Sequence, residues 1–178
     1  MPPLAYLLTF STYGTHLPGS EKGWVDAQHC IPGSPMRPQH PARERYWRSR
    51  LNESSWLLAR EERLIVLRAI LEVCRHREWR PDGVHVRSTH IHAVIGGNVK
   101  PERMLSDFKG YATRALRSAA AAPERRRYWA HHGSTRYLWN ETSLKAAIDY
   151  VLCGQGVRMA YYPDQPEEAN DRRTPERR

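Results

Sequence analysis

The sequence predicts an α+β sandwich, an antiparallel sheet covered by helices. Three observations carry that expectation: short runs rich in aliphatic, aromatic and β-branched residues; longer segments with apolar residues at helical spacing; and their order along the chain, β, α, β, β, α, β, α. Leu4 to Tyr13 (LAYLLTFSTY) reads as the first strand, closed by Gly14. From Gly14 to about Trp56 the text turns to Gly, Pro, His and Trp. Pro18, Pro32, Pro35, Pro38 and Pro41 interrupt any periodicity, so residues 14–56 are expected to form a long irregular loop inserted in the domain. That loop also carries Arg37, Arg43, Arg45, Arg48 and Arg50 beside Tyr46 and Trp47. The mixture suits either a groove for single-stranded nucleic acid or a solvated basic loop.

Ala59 to Glu78 places Leu64, Leu67, Ile70, Leu71 and Cys74 on one stripe and charges on the other, the pattern of an amphipathic helix on a sheet. Pro81-Asp82-Gly83 resembles a turn. In the run Val84 to Gly96 that follows, Val84 and Val86, then Ile91, Ala93 and Ile95, read as two strands meeting near Arg87 to Thr89. Pro101 and Glu102 open a second helix reaching about Ala119. Arg136 to Trp139 (RYLW) reads as a further strand. Thr142 to Cys153 forms a third helix, with Asn140 or Thr142 available as cap and Gly154-Gln155-Gly156 as its end. Residues 1–162 are thus expected to form one domain and 163–178 a disordered polar tail.

Composition narrows the function classes. The chain has 178 residues, with 28 Lys+Arg against 19 Asp+Glu and a formal charge of +9. The tail holds five acids and four arginines, so the excess positive charge belongs to the body. A basic body fits a polyanionic partner, most often nucleic acid, or a surface that only confers solubility. Mean hydropathy is −0.73, and no run approaches the roughly 18 consecutive apolar residues that a spanning helix needs, so no membrane partner is expected. The opening MPPLAYLLTF has neither a basic leader nor a small-residue cleavage site. Cys30, Cys74 and Cys153 are widely spaced and odd in number, as expected of reduced thiols in the cytoplasm.

The sharpest chemical feature is His90-Ile91-His92. Side chains alternate along a strand, so His90 and His92 share one face while Ile91, Ala93 and Ile95 point into the core. Two imidazoles at that separation suit a divalent metal ion; they also suit a solvated polar face. Two helical tyrosines compete as nucleophile, and helix phase separates them. Tyr111 falls on the stripe of Met104, Phe108 and Ala115, whereas Tyr150 lies roughly 120° from the stripe of Leu144, Ala147, Ile148 and Val151. Tyr150 is therefore presented. Gln155, at the same helix end, can turn its carboxamide towards the same place.

The HxH strand, the tyrosine helix and the nearby glutamine resemble the single-tyrosine HUH transposases, where U is a hydrophobic residue. These comprise bacterial insertion-sequence transposases that act on single-stranded DNA and the REP-associated tyrosine transposases. The segments LTFSTYGTHLPGSEKGWVD, EVCRHREWRPDGVHVRSTHIHAVIGG, DFKGYATRAL and GSTRYLWNETSLKAAIDYVLCGQG carry the resemblance almost to Tyr162. It implies a ferredoxin-like (RRM-like) antiparallel sheet flanked by helices, the HUH endonuclease fold. It further implies a Mg²⁺ or Mn²⁺ cofactor on His90, His92 and Gln155, and Tyr150 as the nucleophile of DNA strand transfer through a 5′-phosphotyrosine. Single-stranded DNA with hairpin ends, homodimerisation and a bacterial, nucleoid-associated setting also follow from it.

Three positions depart from the family pattern. Glutamine falls at Gln155, one residue later than in well-known members, where this chain has Gly154. Thr89 precedes the first histidine in place of asparagine, and Ser20 stands where aspartate is commoner. Lys109, Arg114 and Arg117 on the second helix, and Arg125, Arg126 and Arg127 after it, are candidates to neutralise a DNA backbone or to form a solvated face. His131-His132, ahead of the RYLW strand, is expected to contact DNA or to serve structure. Two other readings belong to different classes: a domesticated hairpin-DNA-binding protein without turnover, and an RNA-binding ferredoxin-like module.

Overall fold

The structure is a computed structural model that describes residues 2–21, 24, 37–121 and 124–163. The elements are β1 (Ala5–Thr12), α1 (Pro41–Ser49), α2 (Arg60–His76), β2 (Arg80–Val86), β3 (His90–Gly96), α3 (Pro101–Ser118), β4 (Trp129–Leu138), α4 (Glu141–Leu152) and β5 (Ala160–Tyr162). All strand pairings are antiparallel, in the order β4-β1-β3-β2-β5. The β1-α2-β2-β3-α3-β4 portion places its strands 4-1-3-2, the ferredoxin-like arrangement that the sequence leads one to expect.

Alternation along the strands divides the sheet into two faces. On one, Leu8, Phe10, Val84, Val86, Ile91, Ala93 and Ile95 are buried under α2 and α3. Those helices contribute Val66, Ile70 and Val73, and Met104, Phe108 and Ala112. On the other, Ala5, Val94 and Leu138 meet Leu144, Ala147, Val151 and Leu152 of α4. The helix starts follow local rules: Pro101 opens α3 at a position whose N–H needs no partner, and Asn140 Oδ1 accepts the Ser143 N–H at 2.8 Å to cap α4.

Several local expectations are corrected. The stretch 14–56 contains the helix α1, because Pro41 sits at a helix N-terminus, where proline is tolerated. The helix α1 buries none of its own residues. Pro81-Asp82-Gly83 is no turn: it lies within β2 as a bulge between Pro81 and Gly83, beyond the stretch that β5 pairs. β4 begins at Trp129, well before Arg136, since HHGST is held by pairing with β1 and not by strand propensity. β5, three residues long, is too short for any periodicity to announce. In α2, Leu67, Ile70 and Cys74 are buried as the stripe predicts, whereas Leu64 is exposed and Val66, Ala69 and Val73 join the buried side. Cys74 is buried, which pushes its thiol up to about 12, and Cys153 is an exposed free thiol. Cys30 and almost all of the tail 163–178 lie outside the described residues. No helix among those described is long and apolar enough to cross a membrane.

Candidate active site on the α4 face

The α4 face carries a row of polar and aromatic side chains across all five strands. Strand register sets Ser134, Thr9, His92, His85 and Tyr161 opposite one another in turn. His90 lies one rung further along β3, its ring 4.8 Å from that of His92. The alternation expected of HIHAVI holds, since Ile91, Ala93 and Ile95 are fully buried on the opposite face. The histidine face is not open to solvent, however: α4 lies over it, and His92 is 7% exposed.

Tyr150 projects from α4 with its ring 5.4 Å from His92, and it remains 46% exposed. Tyr111 is partly buried against the α2/α3 core, as its phase predicts. The chain after α4 unwinds tightly. The Cys153 N–H bonds Asp149 O at 2.8 Å and the Gly154 N–H bonds Tyr150 O at 3.0 Å. A Cβ at Gly154 would stand 2.9 Å from Tyr150 O and 3.3 Å from its Cδ2, so only glycine lets the chain turn this close to the tyrosine. Gln155 then folds back, donating to Tyr150 O at 3.4 Å, and its side chain beside His92 partly offsets the lowering of that imidazole's pKa.

Partners of the histidines were not evident from the sequence. Thr89 Oγ1 lies 2.8 Å from His90 Nδ1, and Thr9 Oγ1 lies 2.8 Å from His92 Nδ1. When each Nδ1–H donates to its threonine, each Nε2 carries the lone pair a metal ligand requires. Burial, followed by the charges of His90, His85 and Arg87, holds His92 down at about 3, so its imidazole is neutral near pH 7. Among the described residues no group of three or more His, Cys, Asp or Glu side chains could hold a metal ion. The groups here that could hold an ion are two imidazoles and one carboxamide oxygen. They fit a loosely bound divalent ion whose remaining ligands are oxygens from substrate or water.

His85 is a further residue of this face whose place the sequence did not reveal. It is fully buried, with Nδ1 3.0 Å from Val151 O and Nε2 3.1 Å from the Met159 N–H. A backbone N–H can only donate, so Nε2 accepts and Nδ1–H donates: the neutral tautomer is fixed by its partners. Burial lowers its pKa further, and Arg87 and Arg158 add to the effect. His85 thus fastens α4, next to Tyr150, to the middle of the sheet. Arg87 donates to Val157 O at 3.1 Å, and the exposed His16 stacks edge-on against His90 at 5.8 Å.

The other candidates stand elsewhere. Lys109 donates to Ala130 O at 2.8 Å and to His131 O and His132 O at 3.2 Å. It anchors the start of β4, and burial lowers its pKa. Arg114 lies over Tyr111 at 4.4 Å and Arg117 over Tyr128 at 5.5 Å. These three belong to α3, on the opposite face from Tyr150. Arg125 bonds Ser54 O and Arg127 O and lies 3.8 Å from the Glu53 carboxylate, while the backbone N–H groups of Arg126 and Arg127 reach Glu53 at 3.0 and 3.3 Å. That cluster ties the end of the insertion to the approach of β4. His131 and His132 are exposed, with rings 4.3 Å apart.

A five-stranded antiparallel sheet with this connectivity is a fold that the chain shares with solved structures. One such structure is a candidate transposase from Deinococcus radiodurans R1, with TM-score 0.51 and 11% identity over 82% of this chain and 87% of that one. Another is a REP-associated tyrosine transposase bound to a REP hairpin, with TM-score 0.48 and 11% identity over 86% of this chain and 67% of that one. No family model and no curated protein matches the sequence.

Proposed function

We propose that the protein is a metal-dependent single-tyrosine transposase or nicking-and-joining enzyme acting on single-stranded DNA with hairpin ends. One observation carries the reading: Tyr150, presented on α4, stands against the neutral His92 of the HxH pair, with Gln155 turned back to the same point. One chain supplies all of these groups. The sequence resemblance to HUH transposases and the shared fold support the same conclusion.

A phosphodiester is anionic and resists attack. A Mg²⁺ or Mn²⁺ ion held by His90, His92 and Gln155 supplies Lewis-acid polarisation of a non-bridging phosphate oxygen when bound. Tyr150 gives up its phenolic proton and its Oη attacks phosphorus. The bond from phosphorus to O3′ breaks, the departing oxygen takes a proton as a 3′-OH, and a 5′-phosphotyrosine remains. Attack by another 3′-OH reverses the step at a new junction, so joining needs no nucleotide cofactor. Thr9 and Thr89 keep the imidazoles oriented. A homodimer, where one forms, has no missing residue of this set to supply.

The RNA-module reading meets a physical obstacle, since α4 covers the middle of the sheet face that such modules leave open for stacked bases. The test is incubation with labelled hairpin-bearing single-stranded DNA from the gene's own flanks and Mn²⁺. Wild type is expected to form a covalent adduct, and Tyr150→Phe to lose it by roughly 10³-fold or more. An equal adduct yield from Tyr150→Phe refutes the mechanism. DNA binding without any wild-type adduct identifies the domesticated binder instead.

A further inference from the structure

Beside Tyr150, on the side away from His85, α4 stands clear of the sheet edge. A cleft of about 420 Å³ opens there, lined by Leu7, Thr9, Ser134, Arg136, Ala146, Ala147 and Tyr150. This volume falls in the range of roughly 300–1,000 Å³ typical of small-ligand sites. Its walls are of two kinds. Leu7, Ala146 and Ala147 make an apolar side, whereas Thr9, Ser134 and Arg136 make a polar floor on β1 and β4. Arg136 is exposed and pairs with no carboxylate among the described residues. An unpaired guanidinium on a strand, beside small apolar residues and hydroxyls, matches a nucleotide, with charge for a phosphate and an apolar wall for sugar or base. Two residues join the cleft to the histidines: Tyr150 forms its mouth, and Thr9 also holds His92 Nδ1.

We infer that this cleft seats a nucleotide adjoining the scissile phosphate, with the Arg136 guanidinium on the neighbouring phosphate. The inference rests on the DNA-cleaving reading above and adds to it a binding site that also sets how the strand is threaded. A strand whose scissile phosphate lies between Tyr150 and His92 has its next nucleotide over the α4-β4 cleft. The small side chains of α4 are then a requirement for access: Ala146 is exposed at the cleft, and a large residue there would fill it without disturbing the core.

The experiment measures affinity first, in EDTA and in the Tyr150→Phe background so that no cleavage occurs. The probe is a fluorescent hairpin oligonucleotide with a single-stranded foot from the gene's flanking DNA, followed by anisotropy. Arg136→Ala is expected to weaken binding about tenfold, Arg136→Lys to recover part of it, and Ala146→Phe to weaken it with the arginine intact. Replacing one phosphate by methylphosphonate, one step to either side of the scissile position, identifies the contact. At one of the two positions the substitution should weaken binding to the arginine protein and leave Arg136→Ala unaffected. Unchanged melting temperatures confirm folding. Changes under twofold for both Arg136→Ala and Ala146→Phe, or no methylphosphonate position that cancels the Arg136→Ala effect, overturn the inference. Failure of the covalent adduct assay alone strikes the catalytic reading, because the affinity measurement needs neither metal nor chemistry.

Discussion

The two faces of the sheet are made from the same strands, yet they do different work. Under α2 and α3 the strands contribute aliphatic and aromatic side chains, and Phe108 packs edge-on against Trp79 with centroids 5.9 Å apart. Under α4 the next residues along the same strands include His85 and His92, two of the three buried polar residues among those described. The first face acts through burial and tolerates any well-packed apolar set. The second acts through directed hydrogen bonds, so α4 is positioned by partners as well as by packing. A sheet buried on both sides can keep stability on one face and reactive groups on the other, one residue out of step.

The contrast is open to measurement. Phe108→Ala removes a fully buried ring from the apolar face and is expected to cost about 3–5 kcal/mol in denaturant unfolding. Adduct yield per folded molecule should stay near wild type; a matching loss of yield would show that the faces are not separable. His85→Ala leaves Val151 O and the Met159 N–H without their partner, for a smaller cost on the order of 2–3 kcal/mol. Here the adduct yield per folded molecule should fall, because α4 carries Tyr150. His85→Gln, which keeps a donor and an acceptor, should restore part of it. Acid gives the most gradual effect. His85 and His92 are both lowered from about 6.5, His92 to about 3, so below pH 6.5 the unfolded chain binds protons that the folded chain refuses. Stability of the metal-free protein is therefore lost as pH falls below about 6.5, for His92 down towards 3, at up to about 1.4 kcal/mol per pH unit for each histidine while it titrates. Urea midpoints across that range in wild type and His85→Gln measure it, and a slope unchanged in the variant would remove His85 from the explanation.

Much of this was legible beforehand for a local reason. The alternation in HIHAVI assigns both histidines to one face whatever lies above it, and helix phase alone presents Tyr150 and withdraws Tyr111. Reading failed where neighbours distant in sequence decide. Pro81 reads as a turn residue, but the bulge and the open edge of β2 admit it to a strand. The HHGST part of β4 has weak strand character, yet Gly133 crosses so close to β1 that a Cβ would lie 2.6 Å from Thr9 O. The length of β4 is a property of the pair.

By itself, then, the sequence determined the element order, the two-faced strands, the histidine pair and the exposed phase of the tyrosine, since each depends on periodicities of a few residues. Only the tertiary structure decided that α4 folds back over the histidines, that Thr9 and His85 hold His92 and Val151 from 83 and 66 residues away, and that Arg136 faces a cleft shared with Tyr150. Strand register and helix docking make those contacts, and both are set by the burial of two whole faces at once.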